Sequence, residues 1–237
     1  MASGRKTATY GARGDVIYSP ERWQILEKKR DRAKEIMRRL ERRSIPSIVY
    51  GSVARGDVVP DSDVDIFIPV KVPSFLIEIS LEGLNVLQRR VVQATPNYAI
   101  KGEITLDDDT TLSFPLVNLK DREIDFYTFG GAINLSELKN NKRVAGVDKR
   151  LVLIMPNEKG HSEIPINEMD EAELSKILGV GIDIILERKR VLERRREVGR
   201  TGVFMCETVP DAESFESFIR EMAKRNPAVR RRLGEVK

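Results

Sequence analysis

One cysteine, one histidine and one tryptophan are all that 237 residues contain of these types. A single thiol, Cys206, excludes an internal disulfide and any zinc site built on cysteines, and it fits a reducing cytoplasm. Its simplest reading is a small buried side chain. The lone His161 excludes a multi-histidine metal centre; it follows a predicted turn and is expected at the surface. Long apolar runs are missing as well. The longest, residues 177–186, is ten residues and contains Asp183. That is too short to cross a bilayer, so no membrane partner is expected, and the first ten residues lack the apolar core of a secretory signal.

What is present describes a folded chain. Hydrophobic residues make up 41% and charged residues 33%, which excludes disordered and collagen-like classes and leaves ample material for a core. The net charge of +4 comes from 41 basic and 37 acidic residues. It conceals segregation: residues 188–200 and 220–237 each carry seven basic side chains against two acids, whereas 57–65 and 103–125 are acid-rich. Arginine outnumbers lysine 26 to 15, which suits bidentate phosphate contacts. An acidic centre with basic flanks suits a metal-dependent enzyme acting on a polyanion, and solvated faces on charged helices fit each single run equally well. Few glutamines and dense Glu, Arg and Lys also point to a thermophilic source.

The first nineteen residues read as a loose arm. Ser19-Pro20-Glu21 has the pattern of a helix start, and the helix is expected to run to about Arg43, before Pro46. Strands are expected over 47–50 and 64–69, a helix over 75–94 with Gly83 inside it, and a hairpin over 100–106 and 112–117. A strand over 123–129 and a second hairpin over 151–155 and 163–166 follow. Residues 173–178 and 182–198 read as helices joined by a tight Gly179-Val180-Gly181 turn. This pattern resembles a helix-turn-helix, with residues 199–204 as a wing. In the tail, Phe215, Phe218, Ile219 and Met222 recur at helical spacing as a docking face. The chain divides on this reading into an arm and helix (1–44), a central domain (45–168) and a basic helical module (169–237).

The most informative stretch is GSVARGDVVPDSDVDIFI, residues 51–68. Gly51 and Ser52 close a strand; a glycine lets backbone approach an anion, and the hydroxyl can donate to a phosphate oxygen. A helix beginning there adds its amides to the anion site, and Arg55 is placed to reach a phosphate. Asp63 and Asp65 stand two apart on a predicted strand, so both carboxylates share a face, while Val64, Ile66 and Ile68 point into the core. Paired carboxylates with no cation beside them repel, and a divalent ion resolves the conflict. Hard oxygen ligands select Mg²⁺ or Mn²⁺. A third carboxylate is expected on a neighbouring strand. Asp125, in REIDFYTF, is the first choice, with Glu123 and Glu103 as alternatives.

Gly-Ser, ten residues, then Asp-x-Asp resembles the nucleotidyltransferase superfamily typified by DNA polymerase beta. The form Gly51-Ser52-Val53-Ala54-Arg55-Gly56 is similar to its small prokaryotic branch and to archaeal CCA-adding enzymes. The resemblance implies an α/β (α+β) fold, a mixed sheet flanked by helices. It implies that Asp63, Asp65 and Asp125 bind metal, that Ser52 holds the outgoing phosphates, and that Asp125 helps deprotonate an attacking hydroxyl. A nucleoside monophosphate would then pass from an NTP to a hydroxyl, with pyrophosphate leaving.

The basic C-terminal module favours a nucleic-acid acceptor, tRNA, other RNA or DNA, over a protein. Arg188, Lys189, Arg194, Arg195, Arg196 and Arg200 are its candidate phosphate contacts. Lys142, Arg143, Lys149 and Arg150 are candidates for a triphosphate or acceptor strand, and Arg230-Arg231-Arg232 for a solvated end ahead of further phosphate contacts. The rival reading is a non-catalytic, nucleotide-sensing DNA-binding regulator on the same fold.

Overall fold

The computed structural model describes residues 12–199 and 202–234. Its elements begin with β1 (Gly14–Ile17), α1 (Pro20–Glu41), β2 (Ile48–Tyr50), α2 (Ser52–Arg55), β3 (Val64–Phe67) and α3 (Ser74–Ser80). Next come β4 (Val86–Gln93), β5 (Ile100–Leu106), β6 (Thr110–Pro115), α4 (Asp121–Phe129), β7 (Ala132–Asn134), α5 (Leu135–Lys139) and β8 (Gly146–Val147). The chain continues through β9 (Val152–Asn157), β10 (Gly160–Pro165), α6 (Glu171–Leu178), α7 (Ile182–Val198), β11 (Met205–Thr208), α8 (Phe215–Arg225) and α9 (Pro227–Leu233). This is the mixed α+β composition expected. Among the described residues no helix is long and apolar enough to cross a membrane.

Two compact units share the chain in alternation. Among the described residues one takes 12–31, 49–62 and 124–199, and the other takes 32–48, 63–123 and 202–234.

The second unit contains strands in the order β11-β4-β5-β6-β3. Neighbours are antiparallel except β6 and β3, which run parallel, so the sheet is mixed. Period-two alternation sorts its residues onto two faces. Ile66, Ile100, Ile104, Leu106, Leu112 and Phe114 lie on one face and are essentially inaccessible to water. Phe114 meets the ring of Phe215 on α8 edge to face, with centroids 5.0 Å apart. Glu216, next to it, accepts hydrogen bonds from the amide and hydroxyl of Ser74 at 2.7 and 2.6 Å. The tail helix therefore docks through Phe215 and Ile219, as its spacing predicts. From Arg32 onward α1 adds Ile36, Met37 and Leu40 to the buried set.

In the first unit β1-β10-β9-β8 form an antiparallel sheet. Phe129, Leu153, Ile166, Leu174, Leu178 and Ile184 build one core, so α6 and α7 pack with the residues of β9. Asp170 caps α6 by accepting from the amides of Ala172 and Glu173.

Three expectations need correction. The arm is not wholly irregular, since Gly14–Ile17 pairs with β10. The helix expected over 75–94 is α3 followed by strand β4. Gly83 adopts φ +82°, a left-handed conformation that breaks the helix, and the β-branched Val86, Val91 and Val92 then pair with β5. The strand expected over 123–129 is helix α4: a short run with Tyr127 and Phe129 buried satisfies either period, and acids at Asp121 and Glu123 favour a helix start. The expected wing, residues 199–204, lies partly outside the described residues; the strand that follows, β11, pairs with β4.

Gly102 on β5 has no space for a side chain. A Cβ there would stand 2.4 Å from Cζ of Phe114, a ring already fixed against Phe215. Gly102→Ala should therefore destabilise by about 1–3 kcal/mol through overpacking. Thermal unfolding should show Tm lower by several degrees, and an unchanged Tm would contradict this packing.

Candidate active site

The polar face of the second unit's sheet carries the acids. Asp65 lies beside Thr111, which lies beside Thr105. Two residues along β5, Glu103 pairs with Ser113, and two further Lys101 pairs with Pro115. Asp65, Glu103 and Lys101 therefore share one face, opposite Ile66 and Ile104. Asp63 precedes the strand and is exposed, whereas Asp65 is half-buried. Burial, followed by the nearby Asp63 and Glu103 carboxylates, pushes the Asp65 carboxyl up to about 6, with Lys101 opposing the shift. Burial likewise pushes the Lys101 ammonium down, against the pull of Glu103, Asp65 and Glu123. One oxygen of Glu103 accepts from Arg90 at 3.0 Å.

In the first unit, Gly51 turns the chain from β2 into α2 at φ +74°, a conformation that favours glycine. Its amide donates to the Gly131 carbonyl at 2.9 Å, and its own carbonyl accepts from the amides of Ala54 and Arg55. Ser52 opens the short helix and is half-buried. Arg55 is buried, with its guanidinium forked onto Asp57 at 2.9 and 3.0 Å and donating to the Gly130 carbonyl at 2.6 Å. That side chain braces the loop.

Arg30 braces the same loop and escaped the sequence reading. It donates to the carbonyls of Val53, Ala54 and Lys142, and burial pushes its guanidinium down to about 10. The available signal was its place in the buried spacing Leu26, Arg30, Ala33, Met37, where an arginine needs partners.

Asp125 stands on helix α4 in the first unit, where its Oδ2 accepts from the Gly181 amide at 3.3 Å. Glu123 is buried and fully engaged: it accepts from the amides of Ala99 and Lys120 and pairs with Arg232 at 2.9 Å. Of the three candidates for a third acid, only Glu103 lies on the sheet face of Asp65.

The basic residues of α7 divide. The Arg188 guanidinium lies 4.9 Å over the Phe126 ring, and burial pushes it down to about 10. Lys189 pairs with Glu171 at 2.6 Å, and Arg194 and Arg195 are exposed. The Arg196 side chain and Arg200 lie outside the described residues. Lys142 pairs with Glu137, and Arg150 with Asp148 and Glu163. Arg143 donates to the carbonyls of Asn157 and Gly160. Lys149 is exposed.

Two further expectations reverse. His161 is buried on β10, hydrogen-bonded to the Tyr18 hydroxyl at 2.7 Å and to Glu163 at 3.3 Å, because strand pairing with β1 covers it. Burial keeps its imidazole below the usual histidine range. Cys206 is exposed on the short strand β11, whose residues after Met205 face solvent.

Asp65 yields a pH prediction. Ionising this carboxyl is harder in the folded chain than at the ordinary 3.8, so its contribution to stability is full below that value and is lost as pH rises through about 6. Asp65→Asn stays neutral throughout. In metal-free buffer its Tm advantage should widen between pH 4.5 and 8, reaching on the order of 2 kcal/mol in stability. A gap that does not change with pH would show that Asp65 is not under this strain.

Among the described residues, no group of three or more His, Cys, Asp or Glu is gathered as closely as a metal site requires. The donor set nonetheless fits a hard divalent ion: Asp65 accepts no hydrogen bond from a described residue and has two carboxylates as neighbours. No curated protein and no solved structure matches the chain. The family model described as "Nucleotidyltransferase domain" matches residues 30–198, a span that contains Gly51-Ser52, the Asp63/Asp65 pair and Glu103. With more than half its length inside that match, the chain belongs to the nucleotidyltransferase domain family.

Proposed function

We propose that the protein transfers a nucleoside monophosphate from an NTP to a hydroxyl group, with a divalent cation, Mg²⁺ or Mn²⁺, held by Asp63 and Asp65. The observation that carries this reading is the half-buried Asp65 carboxyl on a sheet face crowded by Asp63 and Glu103. Burying like charges together is unfavourable unless a cation is meant to join them. When bound, the cation supplies charge neutralisation at the phosphates and Lewis-acid polarisation.

Among the candidates for the third acid, Asp125, Glu123 and Glu103, this reading favours Glu103, because its strand shares a sheet face with Asp65. The Glu103 carboxylate is oriented by Arg90 and adds the third negative charge. Ser52 keeps the role that the resemblance gives it, donating its hydroxyl to the outgoing phosphates. Arg30 and Arg55 position that loop through its backbone.

A nucleic-acid acceptor is supported by the exposed Arg194 and Arg195 on α7 and by the excess of basic over acidic residues. The exposed single cysteine supports a cytoplasmic, reducing setting. Catalysis is favoured over the regulator reading, because Asp63 and Asp65 are present within the span that matches the nucleotidyltransferase family model.

The test is incubation with Mg²⁺ and each α-labelled NTP in turn, with tRNA, duplex DNA and the protein itself offered as acceptors. Label should move to one acceptor class, and transfer should fall at least about a thousandfold in the Asp63→Asn/Asp65→Asn variant. Equal labelling by that variant would refute the assignment. NTP binding without transfer to any acceptor would favour the regulator.

A further inference from the structure

His161 is the single imidazole of the chain, and both of its nitrogens are hydrogen-bonded inside the first unit. Nδ1 lies 2.7 Å from the Tyr18 hydroxyl, and Nε2 lies 3.3 Å from Oε1 of Glu163. Glu163 is held ionised: burial opposes this, and hydrogen bonds from Arg150 and His161 outweigh it. An ionised carboxylate only accepts, so Nε2 carries the imidazole proton and Nδ1 accepts from Tyr18. One neutral tautomer fits this chain of bonds. An imidazolium would carry a proton on Nδ1 as well, and the Tyr18 hydroxyl would have to turn its own proton elsewhere in a buried site.

Tyr18 connects this bond chain to the turn that holds Ser52. Two guanidinium groups lie against its ring, Arg22 at 4.3 Å and Arg143 at 5.9 Å from the centroid. Both touch the segment that follows Ser52. Arg22 donates to the Val58 carbonyl at 3.0 Å. Arg143 lies so close to Gly56 that a Cβ there would stand 2.5 Å from its Cδ. The other end of Arg143 is pinned to the carbonyls of Asn157 and Gly160.

The charges around His161 leave little room for another cation. α1 presents Arg22, the segment after α2 presents Asp57, and Glu163 lies on the same strand as the ring. Asp57 is already forked by Arg55, and Glu163 by Arg150, which also pairs with Asp148. Asp15 of β1 is engaged by Ser162. Burial keeps the imidazole neutral against the pull of Glu163 and Asp57.

We propose that Glu163, His161 and Tyr18 form a pH-sensitive latch on the turn over residues 51–56: neutral His161 holds Tyr18 and its two arginines against the turn, and protonation of the ring releases them. Because folding favours the neutral ring, the latch is fully closed above the ordinary histidine value of 6.5 and opens as pH falls below it. The consequence for phosphate, a grip by Ser52 that loosens in acid, rests on the role given to Ser52 above; the latch itself does not.

With one histidine, ¹⁵N NMR of the full chain reads the tautomer and titration of His161 directly. The proton should sit on Nε2 at pH 7.5. The amides of Gly51, Ala54, Arg55 and Gly56 are hydrogen-bonded in or across the turn. Between pH 7.5 and 5 their hydrogen exchange, relative to intrinsic rates, should rise about three- to tenfold in step with the His161 titration. His161→Gln, which accepts and donates but does not titrate, should exchange alike at both pH values. Tyr18→Phe should exchange faster already at pH 7.5, and it decides the matter should the glutamine variant not fold. A proton on Nδ1 at pH 7.5, turn exchange that ignores the His161 titration, or the wild-type pH response in His161→Gln would each overturn the latch. ATP binding at pH 7.5 separates the latch from the phosphate reading. Tyr18→Phe should bind ATP more weakly than wild type; equal binding, with exchange as expected, overturns the phosphate consequence and leaves the latch standing.

Discussion

The burial of a carboxylate among like charges is the constraint on which the rest of this protein turns. Asp65 is held on β3 because Val64 and Ile66, its neighbours on the other side of the pleat, are locked in the core. A one-residue slip of that strand would bury the acid fully and expose the isoleucine, so the apolar face fixes the register of the polar one. The parallel pairing of β3 with β6, and the antiparallel pairing of β6 with β5, then bring Glu103 and Lys101 to the same surface. The fold tolerates a strained acid on this face because dense packing of Phe114, Phe215 and the isoleucines beneath it offsets the strain.

Arginine is the second theme. The sequence invites the reading that so many guanidinium groups meet phosphate, and the structure sends most of the informative ones inward. Arg30 and Arg55 clamp the Gly51 loop through backbone carbonyls. Arg89 donates to the carbonyls of Pro210 and Glu213 and pairs with Glu78, fastening the segment before α8. Arg143 holds the turn between β9 and β10, and Arg232 closes over Glu123. A planar fork with five donors satisfies several carbonyls at once, which a lysine cannot do. Arg194 and Arg195 are instead exposed, as are Arg38, Arg42, Arg43, Arg225, Arg230 and Arg231.

The misread elements share a cause. Residues 84–94 and 123–129 are short runs in which apolar side chains fit both a period of two and a period of 3.6. Long-range pairing chose between the periods: β4 became a strand because β5 and β11 offered their edges to it. His161 was misplaced for the same reason. Its neighbours in sequence suggest a turn, and only the pairing of β10 with β1, far away in the chain, buries it against Tyr18.

The sequence by itself determined the Gly51-Ser52 turn, the Asp63/Asp65 pair, the β5–β6 hairpin and the docking stripe of α8, because each is a local pattern whose geometry follows from spacing along one strand, turn or helix. The family resemblance rests on the first two. Tertiary structure decided which acids share a sheet face: the register of three strands places Glu103 on the face of Asp65, and Asp125 stands on a helix. It also decided that Arg55 braces the loop, since the partners of a charged side chain are set by contacts across the fold, and spacing along the chain does not encode them.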